Sequence, residues 1–267
     1  MRSGPLVTSF FTLAALSTVP ASAATLYLNI PSIPGTADLP GYPTAISIES
    51  LSGGAPYFAM TKLVDATTSP ALASAVGAGT HLGTTPVLLY NSSTPTGAPD
   101  AILPLQNTVA SSLATSVGFP STETLTLFAT NPQQIYLELP GITGPASTPG
   151  YPGVMAVQSF SIAGNTLTIT KAVDSASAAI HTAVIQGKPL FDASLLFYDT
   201  TTPTGPPDTI VSFTDSLATS YQLSPSDVET EQDIFNFINV TQPVPEPTMI
   251  AMSCAALLTT TRRRRLR

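Results

Sequence analysis

"TKLVDATTSPALASAVGAG" at residues 61–79 and "TKAVDSASAAIHTAVIQG" at residues 170–187 are two versions of one segment in a chain of 267 residues. Each version begins with Thr-Lys, passes through Val-Asp and continues into small residues that end in Gly. In the first version Ser69 is a good helix N-cap, and Pro70 suits the first helical turn, where a missing N–H costs nothing. The segment therefore predicts a strand end, a turn and a short helix, and it predicts them twice.

The similarity between the two halves extends well beyond this segment. With a shift of 109 residues, "LYLNIPSIPG" (26–35) aligns with "IYLELPGITG" (135–144), and both halves then carry Pro-Gly-Tyr-Pro. After the deletion of one residue the shift becomes 108, and "TPTGAPD" (94–100) aligns with "TPTGPPD" (202–208). Repetition of this kind indicates a duplicated structural unit.

The repeat also suggests where the chain divides. "SLATS" occurs at 112–116 and again at 216–220, so we predict that the second half has lost four further residues. We divide the chain into a signal peptide (1–23), a first copy (24–131), a second copy (132–242) and a C-terminal sorting tail (243–267).

Within each copy, short stretches alternate apolar and polar residues, as in Leu26–Ile30, which is typical of half-buried strands. Only one convincing helix accompanies these strands. We therefore predict a mainly β protein made of two tandem small β-barrel or sandwich domains, each with one short α-helix. Leu28 and Leu137 should then occupy matching positions in the two interiors.

Composition excludes one class of partner. Every arginine lies in a terminal segment, and between residues 24 and 244 three lysines stand against fifteen Asp or Glu, a formal charge of −12. So little positive charge cannot displace counterions from phosphates, so we exclude nucleic-acid binding. The single cysteine, Cys254, lies in the tail, and the two copies must be held together by burial rather than by disulfides.

The N-terminus has the pattern of a secretory signal peptide. Arg2 precedes an apolar stretch, Leu6–Leu16, and small residues follow at Ala21 and Ala23, so we predict cleavage before Ala24. A buried N-terminal helix is the alternative interpretation, and it leaves the small-residue pattern unexplained. We expect the mature chain beyond the inner membrane.

The C-terminal tail combines a Pro-Glu-Pro triplet, a short apolar stretch and a basic cluster. These are, in order, Pro245, Glu246 and Pro247, then 248–258, then Arg262, Arg263, Arg264 and Arg265. The apolar stretch has about half of the roughly 20 residues that a spanning helix needs. The tail resembles the PEP-CTERM sorting signal of Gram-negative-type bacteria. The resemblance implies recognition by an exosortase, a transient membrane segment, and delivery to the cell surface, outer envelope or extracellular matrix. A permanent weak anchor is the alternative.

The order of features in each copy resembles the Hcp family, the tube protein of type VI secretion systems. The first copy carries the pattern at Lys62, Asp65, Ser69, Pro70, Leu72, Ala75, Gly79 and His81, and the second at Lys171, Asp174, Ala183 and Gly187. The resemblance implies a β-barrel with one flanking helix that assembles into six-membered rings, which stack into tubes. It implies no catalysis and no cofactor.

Two features depart from that family: the unit is duplicated, and the chain is predicted to be exported and sorted. A tube component or effector of an injection apparatus is therefore a less favoured interpretation. Instead, three chains could build one ring of six barrels.

Four charged residues recur in the repeat, namely Lys62 and Asp65 with Lys171 and Asp174. They could contact the next subunit of a ring. Alternatively, each Asp accepts hydrogen bonds from backbone N–H groups in the turn before the helix, which is the interpretation that we favour.

Other acidic residues predict no site. Asp100, Asp199 and Asp208 provide too few carboxylates for calcium, which needs about six oxygen ligands. The stretch that contains Asp227, Glu229, Glu231 and Asp233 is predicted to be a solvated strand edge, whose charges discourage edge-to-edge aggregation.

Histidine and serine patterns are equally uninformative. His81 and His181 do not align between the copies, and neither has a partner at metal-ligand spacing. No G-x-S-x-G motif is present. We therefore assign no catalytic, metal-binding or ligand-binding residues.

Three functions remain open. The first is an exported structural protein that assembles with itself, and the second is a module that binds matrix exopolysaccharide. The third, an enzyme such as a glycosidase, needs two facing carboxylates, and no such pair is evident.

Overall fold

The computed structural model describes residues 23–130, 133–200, 202–224 and 229–242. The predicted sorting tail, with Pro245, Glu246, Pro247 and the arginine cluster, lies outside these residues, as do Ala21 and the predicted copy boundary. Ala24, the predicted first residue of the mature chain, is buried, and its N–H donates to Asn165 Oδ1 at 2.5 Å.

The described chain is mainly β, with two short helices, as the sequence predicts. The elements before residue 131 are β1 (Thr25–Leu28), β2 (Ala37–Leu39), β3 (Tyr42–Ile48), β4 (Ser50–Gly54), β5 (Tyr57–Leu63), α1 (Thr68–Gly77), β6 (His81–Tyr90), β7 (Ala101–Ser116) and β8 (Thr122–Ala129). Those after residue 132 are β9 (Gln134–Glu138), β10 (Ala146–Thr148), β11 (Tyr151–Ala163), β12 (Thr166–Ala172), α2 (Ser177–Gln186), β13 (Pro189–Tyr198), β14 (Thr209–Ser224), β15 (Thr230–Asn236) and β16 (Asn239–Thr241).

Six strands of the second copy close into a barrel. Their order is β9, β11, β12, β15, β14 and β13, and β13 pairs back onto β9. The first copy has the corresponding order β1, β3 with β4, β5, β8, β7 and β6. There Glu49 interrupts the strand that is continuous as β11, so β3 and β4 together take its place.

Apolar side chains that alternate along the strands fill both interiors. Leu28 pairs with Ile46, and Leu137 pairs with Met155, and all four are at most 1% exposed. Leu28 and Leu137 therefore have matching surroundings, as a duplicated barrel requires. Their burial removes apolar surface from water, which is the main source of stability in a chain without core disulfides.

The first residue of helix α1 differs from the prediction. Helix α1 begins at Thr68, with Thr67 as N-cap residue, and Ser69 is the second helical residue rather than the cap. Asp65 Oδ1 instead accepts the N–H groups of Thr67 and Thr68, at 2.9 and 2.6 Å. Because Asp65 satisfies these donors, the Ser69 hydroxyl is free for another partner.

The predicted loss of four residues from the second copy is wrong. Phe191 pairs with Ser216 as Gly83 pairs with Thr108, and Ser220 pairs with Ile234 as Ser112 pairs with Thr126. The shift therefore stays at 108 along the whole of β7 and β14. The two "SLATS" segments therefore lie four residues away from structurally equivalent positions. An alternating sequence does not reveal this offset, because a shift of four residues leaves every side chain on the same face of the strand.

The two barrels are joined by an antiparallel pairing of β4 with the end of β11. At its centre Ser52 pairs with Ser161, and these two residues are equivalent in the repeat. A pairing centred on equivalent residues is self-complementary, as at the interface of a two-fold symmetric dimer.

A further contact across the junction joins the first copy to the last strand of the second. Asn91 exchanges two hydrogen bonds with the backbone of Val240 in β16, at 2.8 and 2.6 Å. Asp199, the equivalent of Asn91, instead bonds within its own copy, where Gln133 Nε2 donates to Asp199 Oδ1 at 3.0 Å. Through the pairing of Ser52 with Ser161, the chain resembles a dimer written as one polypeptide.

In its described part no helix is both long enough and apolar enough to cross a membrane.

Candidate functional site

The first repeated charge cluster surrounds Lys62 inside the first barrel. Lys62 Nζ lies 2.7 Å from Asp65 Oδ2 and 2.8 Å from Glu123 Oε1, and it donates to Leu63 O at 2.5 Å. The Ser69 hydroxyl donates to Glu123 Oε1 at 2.7 Å. Lys62 is 4% exposed and Glu123 2%, so this ion pair is withdrawn from solvent.

The second cluster surrounds Lys171 and repeats this arrangement. Lys171 Nζ lies 2.9 Å from Asp174 Oδ1 and 2.5 Å from Glu231 Oε1. The Ser177 hydroxyl accepts the N–H of Asp174 at 2.9 Å, as Ser69 accepts that of Asp65. Lys171 and Glu231 are completely buried.

These contacts place both lysines within their own barrels. Asp65 bonds the turn and the start of α1, which is the hydrogen bonding that the turn-and-cap interpretation requires. Burial pushes the pKa of Asp65 upward, but the hydrogen bonds from Lys62, Thr68 and Thr67 hold it below its usual value. Each cluster ties the helix turn to a distant strand, since Glu123 and Glu231 come from β8 and β15.

The prediction of a solvated strand edge is wrong for Glu231 and Asp233, whereas Glu229 is exposed and Asp227 lies outside the described residues. Strand β15 lies between β12 and β14, so it has neighbours on both sides, and Glu231 and Asp233 point into the barrel with no exposed surface. Burial, and then the negative charge of Glu231, raises the pKa of Asp233 to about 7. Neither oxygen of Asp233 accepts a hydrogen bond within the described residues.

Polar side chains surround the second cluster where the first has apolar ones. Tyr221 and Asp233 pair across β14 and β15, and the equivalent pair across β7 and β8 is Leu113 and Leu125. Burial and the interaction with Glu231 raise the pKa of Tyr221 to about 12. His181 on α2 stacks on the Tyr221 ring with 4.9 Å between centroids.

The surface next to α2 carries an open groove of about 600 Å³. It is bounded by the turn at 140–142, one side of α2 and the start of β13. Lys188 and Phe191 line it, and Phe191 is 65% exposed. Neither residue is predicted from the sequence to belong to a site, although an alignment at the shift of 108 sets Phe191 opposite Gly83.

The remaining acidic candidates serve local structure. Asp100 Oδ2 accepts the N–H of Asn91, and Asp208 Oδ2 accepts that of Asp199, both at 2.8 Å. Each carboxylate thereby closes its "TPTGxPD" turn. Burial raises the pKa of Asp199 above its usual value, and the hydrogen bond from Gln133 offsets only part of this rise.

Metal-ligand geometry is lacking in the part of the chain that the structure describes, since no three His, Cys, Asp or Glu side chains there could hold an ion. His81 and His181 are exposed and lie in different copies. The buried carboxylates Glu123 and Glu231 each engage a lysine rather than face each other across a cleft.

No protein-family model matches this sequence, and a search of curated proteins finds no match. Several solved structures resemble part of the chain. One, described as "Structure of a type six secretion system protein", is 22% identical, with a TM-score of 0.37 over 41% of this chain and 82% of that one. Hcp1 from Salmonella typhimurium is 21% identical, with a TM-score of 0.36 over 40% of this chain and 82% of its own. The secreted protein Hcp3 from Pseudomonas aeruginosa is 18% identical, with a TM-score of 0.34 over 41% and 88%. The likeness is one of fold, over about two fifths of this chain.

Proposed function

We propose that this chain is an exported, surface- or matrix-sorted structural protein whose tandem Hcp-like barrels associate with further copies of the chain, without catalysis. The observation that carries the proposal is the duplicated barrel, joined through one sheet, in which both repeated lysines are buried and paired with buried glutamates. Such an arrangement stabilises a rigid unit and leaves its outer surface for contacts.

Exposed apolar residues support self-association. Val117 and Phe119, at the tip of the hairpin that joins β7 and β8, are 96% and 108% exposed. Large apolar groups that are fully exposed favour association. A ring of three chains, and hence six barrels, is the form that we propose from the sequence resemblance.

Light scattering and negative-stain electron microscopy of the purified protein test the assembly. We expect a species larger than one chain and discrete particles with internal symmetry. Replacing Val117 and Phe119 by Ser should shift the mass toward a single chain. A wild-type protein that is a monomer at all concentrations contradicts the assembly.

The sorting proposal requires a separate experiment. The predicted signal peptide and the Pro-Glu-Pro tail support export, processing by an exosortase-type enzyme and delivery to the cell surface or matrix. Fractionation of cells that express the full chain, compared with a chain truncated after residue 242, should show that only the full chain reaches the surface. Equal distribution of the two chains contradicts the sorting role of the tail.

Binding of matrix exopolysaccharide is a second candidate function. The groove that contains Lys188 and Phe191 favours it, because it combines an exposed aromatic ring with a cation on an otherwise acidic protein.

A further inference from the structure

The groove beside α2 contains no residue of either lysine cluster and neither of the junction residues Ser52 and Ser161. Its polar lining comes from Thr182, Gln186 and Lys188, and its apolar lining from Ile142 and Phe191. Small-molecule sites commonly combine a concave, partly apolar surface with a few polar groups that fix the ligand's orientation.

Phe191 has an unfavourable backbone conformation. Its φ is +56°, in the left-handed region that residues with a side chain rarely adopt. It lies in an irregularity of the pairing between β13 and β14, and its ring is exposed rather than packed in the core. Strained residues of this kind persist only where the surrounding structure fixes them, and binding and active sites are enriched in them.

Lys188 is the only exposed cation within residues 23–130, 133–200, 202–224 and 229–242, since Lys62 and Lys171 are buried in their clusters. Asp192, although close in sequence, does not line the groove. The groove therefore brings together the one exposed lysine of the described residues and an exposed aromatic ring, in a chain whose residues 24–244 carry a formal charge of −12.

The first copy provides an internal comparison. At the shift of 108, Gln186, Lys188 and Phe191 correspond to Ala78, Thr80 and Gly83. Gly83 also has a positive φ, +69°, so the backbone shape exists in both copies. The barrel thus requires the shape but not the phenylalanine, and the second copy carries an aromatic ring where glycine is the favourable residue.

We propose that this groove binds an acidic sugar unit of a polysaccharide. The face of a pyranose ring is apolar and packs against an aromatic ring, the ammonium group of Lys188 pairs with a sugar carboxylate, and the Gln186 amide bonds hydroxyl groups. Only the identification of a matrix sugar as the natural ligand depends on the proposed surface sorting. Binding itself is independent of the sorting and of the oligomeric state.

Calorimetric titration of the full chain with uronic acid oligomers tests the proposal. The probes are tetramers of galacturonate, glucuronate and mannuronate, with the methyl ester of the galacturonate tetramer as the uncharged control. We expect at least one uronate to bind at least tenfold more tightly than the ester, and its affinity to fall as sodium chloride is added, because salt screens the charge pair.

Two variants replace second-copy residues by their first-copy equivalents. Lys188→Thr should abolish the preference for acid over ester, and Phe191→Gly should weaken binding at least tenfold without lowering the melting temperature. Thr80→Lys, the matched change in the first copy, should leave binding unaltered.

Three outcomes overturn the proposal: no uronate binds at millimolar concentration, Phe191→Gly binds as the wild type does, or Thr80→Lys gains the same binding. If Lys188→Thr dissociates an oligomer while no sugar binds, the groove is a contact between copies and the proposal is wrong. Assembly and surface delivery are measured separately, so failure here is distinguishable from failure of the proposed function.

Discussion

The second barrel holds Tyr221 and Asp233 at the two positions where the first holds Leu113 and Leu125. Both barrels keep the ion pair between a lysine and a buried glutamate, at 2.8 Å in the first and 2.5 Å in the second. The comparison separates what the barrel requires, the lysine with its two carboxylates, from what each copy has changed. Substitutions at the shared positions and at the changed positions test that separation.

Loss of a buried lysine should have the largest effect. Lys171→Met leaves Asp174, Glu231 and Asp233 without a cation, and an uncompensated buried charge costs about 3–5 kcal/mol. Lys62→Met should cost less, because the Asp65 side chain is 29% exposed and Glu123 keeps its bond from Ser69.

Urea unfolding at pH 7 measures this difference, with Lys188→Met as the control for loss of an exposed lysine. We expect the control to change the free energy of unfolding by less than about 0.5 kcal/mol. Equal effects of all three variants would show that the clusters do not stabilise the barrels.

Asp233→Leu, which restores the first-copy residue, should stabilise the protein in alkaline solution. The pKa of Asp233 is raised from an ordinary value of 3.8 to about 7 in the folded chain. The folded state therefore holds a proton that the unfolded state releases. The contribution of this proton to stability is complete below about pH 4 and is lost as the pH rises to about 7.

At pH 8 the gain from Asp233→Leu should be on the order of 2–4 kcal/mol, and it should shrink toward acid pH. Unfolding measured between pH 4 and pH 8 tests this, and Leu125→Asp in the first copy should show the opposite effect. A gain that is independent of pH contradicts the linkage to Asp233.

A methyl group at the junction should weaken the contact between the barrels. A Cβ on Gly54 would lie 2.1 Å from the backbone oxygen of Gln158, whereas the equivalent residue in the second copy is already Ala163. Gly54→Ala should therefore cost about 1–3 kcal/mol and speed hydrogen exchange in β4 and β11. Gly77→Ala is the control, because its Cβ would contact nothing within 4 Å, and it should not destabilise.

Replacing Phe191 and Gly83 each by the residue of the other copy should change the free energy of unfolding least. Phe191→Gly relieves a left-handed conformation and should raise stability by about 1 kcal/mol, whereas Gly83→Phe should lower it by about 1–2 kcal/mol. Thermal unfolding of both variants measures the pair. If Phe191→Gly destabilises the protein, the ring contributes packing that outweighs its backbone strain.

Sequence patterns predicted the structural features that are formed by residues close together in the chain. The strand, turn and helix around Lys62 and Asp65 span a few residues, so periodicity and turn chemistry reveal them. Glu123 could not be assigned to Lys62, because 61 residues separate them and only the strand pairing brings them together.

At the second cluster, the alternation of charged residues did not decide which face of the strand is buried. Alternating charges at Glu231 and Asp233 show that the two residues share one face of a strand, but not whether that face points outward or inward. In this barrel it points inward, because Lys171 on the neighbouring strand provides the counter-charge. The strained Phe191 was likewise hidden, since it looks like an ordinary strand residue until it is compared with Gly83.

The self-complementary junction at Ser52 and Ser161 has a consequence for any larger assembly. A two-fold relation turns one barrel upside down with respect to the other, so a ring of three chains would have pseudo-dihedral symmetry, with first and second barrels alternately up and down. Its upper and lower faces would share one backbone architecture, and a stack of such rings would have no polarity in its fold. That geometry suits a tile in a surface layer, which needs no direction, better than a conduit, which needs one.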